Sequence, residues 1–521
     1  MQISQRVLPA DSVHWFKVPF NFQSGHLFGG GCFLLSTTHT MKYLALLLIS
    51  ILPLAAGKPN VVYILADDLG YGDLKSGNPN GKIATPGTDQ LAKEGMLFTD
   101  AHSNSAVCTP TRYGVLTGRY AFRSRMKKGV LNGYSKFLIE EGRMTVASML
   151  KGNGYDTAFI GKWHLGWDWA MDGKKVDFSK PVKNGPKEKG FVYSYGHCGS
   201  LDMAPYVWVE NGMPTAVPTK ETGRTKKESK NGWWRNGPTS DDFDHEDVLP
   251  NLTRRAVKYV KEQAKTGEPF FLYLALPSPH TPVLPTPAFK GKSGIKSAYA
   301  DFVTMTDDTV KQVMDALKEA GVDENTIFVF TSDNGCSPEA DFAELEAQGH
   351  DPSHIYRGHK ADIFEGGHRV PFLVRWPAKV KAGSTCDDTT CLTDLLATMS
   401  EVLGKRLPKD AGEDSVSMLP NLLGQSDKPL REATVHHSIN GTFAIRQGKW
   451  KLIDAPHSGG WSSPKPQQKK LYQDLPAIQL YDLESDPGEV KNVQDDYPEV
   501  VKSLRGLLAK YKKDGRSTPA R

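Results

Sequence analysis

At 521 residues the chain is long enough for a large buried core, and for two domains. Apolar residues make up 39% and charged residues 24%, which describes a soluble globular protein. The net charge of +5 is small for this length and no nucleic-acid motif is present, which argues against a nucleic-acid partner.

Met41 and Lys42 precede an apolar run to Leu54, which closes in Ala55, Ala56 and Gly57. A charged start, an apolar stretch too short to span comfortably and a small-residue cleavage site read as a signal peptide over 41–57. Residues 1–40 are then an extension from a mis-called upstream start codon, with Met41 as the true start. An uncleaved anchor or a buried core segment are the other readings. Export implies a periplasmic, secreted or lumenal protein with no stable membrane span after cleavage. It also implies an oxidising compartment. Five cysteines lie beyond the signal: Cys108, Cys198, Cys336, Cys386 and Cys391. Cys386 and Cys391 are near neighbours and a candidate disulfide; unpaired buried thiols are the alternative.

Asn60 to Ala66 is a continuous β-rich apolar run that ends in Asp67 and Asp68. At 108–119 the chain reads Cys-Thr-Pro-Thr-Arg, then Tyr-Gly-Val, then Leu-Thr-Gly-Arg. Pro110 suits the first turn of a helix, which places Cys108 at its start and Arg112 one turn on, on the same face. A helix N-terminus also favours an anion. A helix over Thr145 to Lys151 stops at Gly152 and Gly154. The strand Ala158 to Ile160 runs into Gly-Lys-Trp-His-Leu-Gly, where Lys162 and His164 alternate and can face one pocket. The stretch 220–235 is basic and ends in Trp233, Trp234 and Arg235; Trp163, Trp167, Trp169 and Trp208 are further indoles. Indole faces stack on sugars and cations attract polyanions, so Trp167, Trp233, Trp234 and Arg235 are candidate substrate contacts. Packing in the core, beside a solvated loop, is the other reading.

Helical spacing recurs over Val248 to Lys265 and Ala298 to Ala320, with strands at Phe270 to Leu276, Thr326 to Thr331 and Phe372 to Trp376. The strand at 270 leads to His280 in Pro-Ser-Pro-His-Thr-Pro, and that at 326 ends in Ser332, Asp333, Asn334 and Gly335. Lys360 lies in Arg-Gly-His-Lys, ahead of Phe364-Glu365-Gly366-Gly367 and Arg369-Val370-Pro371. Continuous apolar strands between helices predict a large mixed, mostly parallel sheet with helices on both faces, its ligands at the carboxyl ends of the strands. Asp67, Asp68, Asp333 and Asn334 then supply the oxygen set of a hard cation from two strand ends, although each pair alone also suits a turn. Beyond a helix-like segment at Thr393 to Leu403, short strands at Thr442 to Arg446, Trp450 to Ile453 and Gln479 to Asp482 and a basic helical tail predict a smaller subdomain. The catalytic domain is drawn at 58–430 and the antiparallel C-terminal subdomain at 431–521.

The 108–119 stretch resembles the sulfatase signature, Cys-x-Pro-Ser-Arg, three spacers and Leu-Thr-Gly-Arg, with Thr111 in place of the commoner serine. Lys162 with His164, His280 and Lys360 resemble the family's other motifs, and the resemblance runs from about 59 to 490. It implies an alkaline-phosphatase-like α/β fold and conversion of Cys108 to formylglycine by a maturation enzyme. It implies one divalent ion, calcium or else magnesium, held by Asp67, Asp68, Asp333, Asn334 and position 108. It further implies that Arg112, Lys162 and Lys360 steady the sulfate, that Asp333 helps activate the nucleophile, and that His280 or Lys360 protonates the leaving alcohol, with His164 as base for sulfate release. The expected substrate is a sulfated poly- or oligosaccharide. A phosphomonoester or phosphonate hydrolase of the same superfamily, an arylsulfatase for small aryl sulfates, and a non-catalytic binding protein are the alternatives.

Overall fold

The computed structural model describes residues 57–520. The extension assigned to 1–40 and the signal assigned to 41–57, apart from Gly57, lie outside the described residues. Ten strands build the main sheet: β1 (Asn60–Asp67), β2 (Met96–Phe98), β3 (Asp156–Lys162), β4 (Tyr193–His197), β5 (Val209–Glu210), β6 (Met213–Pro214), β7 (Phe270–Pro279), β8 (Thr326–Ser332), β9 (Phe372–Arg375) and β10 (Ser384–Cys386). Their spatial order is β10-β2-β9-β8-β1-β7-β3-β4-β5-β6. The central run β8-β1-β7-β3-β4 is parallel throughout; β9 and β5 run the other way. The sheet is therefore mixed and mostly parallel, as the alternation of strands and helices predicted.

The central strands are buried on both faces. Val61, Tyr63 and Leu65 of β1 face one core and Val62, Ile64 and Ala66 face the other. That explains a run apolar at every position instead of every second one. Helices α1 (Pro86–Glu94), α2 (Cys108–Thr117), α3 (Val146–Lys151), α4 (Val248–Gln263), α5 (Ala298–Glu319) and α6 (Leu395–Val402) divide between the faces. Tyr113 of α2, Leu150 of α3 and Leu396 of α6 pack on the first face; Leu91, Leu252 and Val310 from α1, α4 and α5 pack on the second.

Towards the C terminus, β11 (Thr434–His437), β12 (Phe443–Gln447), β13 (Trp450–Ile453) and β14 (Gln479–Asp482) form an antiparallel sheet. Leu504, Leu508 and Tyr511 of helix α7 (Pro498–Asp514) share its core with Val435, Ile445, Leu452 and Leu480.

The disulfide considered between Cys386 and Cys391 does not form; all five described cysteines are free thiols. Cys386 ends β10 at the edge of the main sheet, whereas Cys391 belongs to a separate two-residue strand paired with Ala101 and His102. Two elements committed to different sheets hold the sulfurs apart.

Gly161 of β3 has φ 122°, and a Cβ there would lie 1.9 Å from the carbonyl oxygen of Ala275 in β7. Only glycine lets these strands close next to Lys162. Gly161→Ala is expected to destabilise the fold by about 2 kcal/mol or more, seen as a lower thermal midpoint. An unchanged midpoint would mean the sheet relaxes around the methyl.

Candidate active site

The carboxyl ends of β1, β3, β7 and β8 converge with the N-terminus of α2. β1 and β8 pair in register through Ala66 and Ser332, so Asp67 and Asp333 emerge side by side. Asp68 and His164, the latter just past β3, hold left-handed φ values of 64° and 54°. Such backbone strain in non-glycine residues is typical of functional sites and turns side chains away from the strand direction. Every residue of α2 is buried. The hydroxyl of Thr111, at the signature's serine position, donates to the Ser105 carbonyl at 2.9 Å and anchors the loop leading into the helix.

Arg112 reaches from α2 across the sheet end. Its Nε and Nη2 donate to Asp333 Oδ2 at 3.0 and 2.8 Å, and its Nη1 donates to the Lys162 carbonyl at 2.9 Å. Asp67 Oδ2 accepts from Lys162 Nζ and lies 3.6 Å from Arg112 Nη2. Asp68 Oδ2 accepts from Lys360 Nζ at 2.7 Å and lies 3.5 Å from His280 Nε2; its Oδ1 accepts from Asn334 Nδ2 at 2.7 Å. Arg112, Lys162 and Lys360 thus face Asp67, Asp68 and Asp333 at buried positions.

Ligand atoms of Asp67, Asp68, Cys108 and His280 lie within 4.8 Å of one another. Two oxygens on these strand ends are buried without a hydrogen-bond partner, Asp67 Oδ1 and Asn334 Oδ1. Orphaned buried oxygens are costly unless something positive meets them. An oxygen-rich donor set of this kind fits a hard divalent cation. Asp333 stands beside it, with Oδ2 on Arg112 and Oδ1 3.3 Å from the Asp68 amide.

Burial pushes the Cys108 thiol up to about 12, so the unmodified side chain is neutral. Burial and the adjacent Asp67 carboxylate push Asp333 up to about 7. Burial acts on Asp67 as well, but Lys162, His280 and Arg112 overcome it and hold its carboxyl well below the usual range. Burial, with Lys162 and Arg112 beside it, keeps the His164 imidazole well below its ordinary value. His164 Nε2 lies 2.7 Å from the Leu131 carbonyl, so it carries the proton and leaves Nδ1 as the bare nitrogen. That Nδ1 is buried and unpartnered.

Over this floor lies a cavity of about 340 Å³. Cys108, His164, His280 and Lys360 line it, with Trp233 and Arg235 nearer the rim. Trp233 Nε1 donates to Glu339 Oε2 at 3.0 Å, and Arg235 Nη1 donates to the Asp202 carbonyl at 3.0 Å. Two expected substrate contacts lie elsewhere. Trp167 is only 2% exposed and packs edge-on against Trp169, so it is core and not cavity wall. Trp234 opens a short strand, Trp234–Thr239, and stacks on His245 outside the cavity lining, while the next residue, Arg235, points to the other face and into that lining. Trp163, Trp169 and Trp208 are buried as well.

Asp202, Glu339 and Trp461 are among the lining residues that had no sequence signal strong enough to single them out. Trp461 follows Gly459 and Gly460 in the C-terminal part, and Asp362 Oδ1 accepts from its amide at 2.7 Å. Asp362 lies two residues beyond Lys360. A tryptophan directly behind paired glycines was the available hint in the sequence.

A second cluster of His102, His368 and His436 also has metal-like spacing. Each of its ring nitrogens already has a partner. His102 Nδ1 lies 3.1 Å from His368 Nδ1 and His102 Nε2 2.9 Å from Asp100; His368 Nε2 lies 3.0 Å from Lys451 Nζ. His436 contacts the Ser103 carbonyl at 2.8 Å and the Thr434 hydroxyl at 2.9 Å. Its imidazoles are saturated within a buried network in which Arg369, Arg446 and Lys451 balance Asp100, Glu365 and Glu489.

The family model for sulfatases matches residues 59–405, and that for the C-terminal part of N-sulphoglucosamine sulphohydrolase matches 358–514. An N-acetylgalactosamine-6-O-sulfatase of Bacteroides thetaiotaomicron is 36% identical over 494 residues, covering 87% of this chain and 93% of its own. Arylsulfatase A of Bos taurus is 32% identical over 481 residues, covering 88% and 89%. A solved structure described under the metabolism of multiple glycosaminoglycans by Bacteroides thetaiotaomicron superposes with a TM-score of 0.76 at 34% identity, covering 88% of this chain and 99% of that one. Among the described residues, no helix is long and apolar enough to cross a membrane.

Proposed function

Since the chain belongs to the sulfatase family and is a sulfate ester hydrolase, we propose that its substrate is a sulfated oligo- or polysaccharide and that Cys108 acts after conversion to formylglycine. The observation that carries this is the position of Cys108: first residue of a buried helix, within 4.8 Å of Asp67, Asp68 and His280. Formylglycine would supply a hydrated aldehyde as nucleophile, and one calcium ion, or magnesium in its place, would polarise it and the sulfate. Asp67, Asp68, Asp333 and Asn334 would hold that ion, together with position 108.

The chain's own groups divide the remaining work. Arg112, Lys162 and Lys360 present fixed positive charge to the sulfate oxygens from buried positions, where preorganised charge stabilises a transition state most. Asp333 serves as base for the nucleophile, with Arg112 fixing its orientation. His280 Nδ1 lies 2.6 Å from the Thr281 carbonyl, which directs Nε2 inward, next to Lys360. Either group can protonate the leaving alcohol. The bare Nδ1 of His164 is suited to accept a proton when sulfate is expelled. At the rim, Trp233 and Arg235 meet the sugar.

An exported protein with a catalytic part at 58–430 and a C-terminal subdomain at 431–521 is consistent with this reading. So is a maturation enzyme that recognises 108–119.

The test is mass spectrometry of the peptide carrying position 108, from protein made with a formylglycine-generating partner, followed by assays of sulfate release. Loss of the thiol mass and release of sulfate from N-acetylgalactosamine 6-sulfate are the expected results. An intact thiol, or turnover of p-nitrophenyl phosphate alone, would move the phosphoesterase alternative ahead.

A further inference from the structure

A second cavity, of about 660 Å³, lies beside the site and has a different character. Arg119, Arg123, Lys127, Lys128 and Lys512 line it, and none of its described lining residues is acidic. Its apolar surface is Phe122 and Phe443, packed edge-on at 5.0 Å. The two arginines are already matched, Arg119 to Glu140 and Glu413, and Arg123 to Asp414. The three lysines are not. Lys127 Nζ donates to the Phe122 carbonyl and Lys512 Nζ sits 3.6 Å over the Phe443 ring. Among the described residues, Lys127, Lys128 and Lys512 form no ion pair, and all three are exposed.

This cavity and the active one are lined by the same two short segments. Gly129 donates to the Ile439 carbonyl at 2.7 Å, joining residues 127–130 to residues 439–441. Val130 and Ile439 line the active cavity; Lys127, Lys128, Asn440 and Gly441 line the basic one. Lys128 is two residues from Val130, which bounds their separation at about 7 Å along the chain. A glycan residue in the active cavity thus has, one step away, an open surface with unneutralised positive charge.

We propose that this basic cavity binds the continuing anionic chain of a sulfated polysaccharide whose reacting sugar occupies the active cavity. The inference rests on the saccharide reading above and extends it: the substrate is a polymer with anionic groups on sugars beyond the one that reacts. Lys127, Lys128 and Lys512 supply the long-range attraction and Phe122 with Phe443 the apolar floor. Uncompensated cations at an open surface attract polyanions in a salt-dependent way.

The test compares wild type with the triple variant Lys127→Gln, Lys128→Gln, Lys512→Gln, whose changes are all at exposed positions and are checked by thermal melting. Binding is read with fluorescent dextran sulfate, which needs no turnover; catalysis is read on a sulfated polysaccharide and on its sulfated monosaccharide. The variant is expected to bind dextran sulfate about tenfold or more weakly and to show a similar rise in KM on the polymer, with turnover of the monosaccharide within about twofold. Unchanged affinity for dextran sulfate overturns the proposal. So does tighter binding of a single-stranded oligonucleotide that the same substitutions abolish, since the cavity would then serve nucleic acid. Failure of wild type to release sulfate from any saccharide would refute the hydrolytic reading separately, because the binding comparison stands on its own readout.

Discussion

Cys108→Ala and Cys108→Ser are each expected to lower sulfate release by about 10³-fold or more, equivalent to about 4 kcal/mol of transition-state stabilisation. Cys108 starts α2 within 4.8 Å of Asp67, Asp68 and His280, with Lys360 in the same cavity wall. No other described side chain occupies that point. Alanine removes the reacting carbon's substituent outright. Serine keeps a hydroxyl in the same place but cannot become the aldehyde along the route open to a cysteine, so it separates the two chemistries. If serine retained most of the sulfatase activity, a directly attacking hydroxyl would suffice and formylglycine would be unnecessary. If serine lost sulfate release but gained phosphomonoester turnover, the site would be a superfamily hydrolase whose ester class is set at this one position. Serine is nearly isosteric with a neutral buried thiol, and alanine removes one atom at the wall of a cavity. The fold should hold, which circular dichroism and the melting midpoint can verify.

The sequence carried the floor of the site better than its walls. Asp67, Asp68, Asp333 and Asn334 stand where apolar runs stop, and Cys108 and Arg112 are one helical turn apart; strand ends and helical spacing are local features. The ion pairs among them are not local. Arg112 to Asp333 joins residues far apart in the chain: the parallel pairing of β1 with β8 sets Asp333 beside Asp67, and the packing of α2 on the sheet end brings Arg112 to both. The indoles show the limit of composition. Trp163, Trp167, Trp169 and Trp208 are buried, whereas Trp233 reaches the cavity and neighbouring Trp234 does not. Large aromatics serve cores and sugar sites alike, and side-chain alternation decides between them once the strand is placed. Trp461 comes from beyond the expected domain boundary, and the Asp362 contact that holds it cannot be inferred from spacing. The cysteines illustrate the same point: nearness in sequence favoured joining Cys386 to Cys391, and assignment to different sheets separated them.

Asp68→Asn is expected to reduce turnover by about 10²–10³-fold and, independently of activity, to abolish the stabilising effect of a bound divalent ion. Asp68 stands at the centre of the charge arrangement: Oδ2 accepts from Lys360 at 2.7 Å and Oδ1 from Asn334 at 2.7 Å, with His280 3.5 Å away. The amide keeps the shape and removes the negative charge. Lys360, only 5% exposed, then loses its carboxylate, and breaking a buried pair costs about 3–5 kcal/mol. The orphaned oxygens of Asp67 and Asn334 remain, but the donor set loses one of its charges. A bound ion at about 100 times its dissociation constant contributes about 2.7 kcal/mol to stability. Wild type should therefore melt at a lower temperature after chelation and recover when calcium is restored, while Asp68→Asn should melt lower from the outset and respond to neither. Elemental analysis supplies the second readout, with about one ion per chain in wild type and little in the variant. Full metal content in Asp68→Asn, with an unchanged response to chelation, would place the ion elsewhere and leave Asp68 as the partner of Lys360 alone.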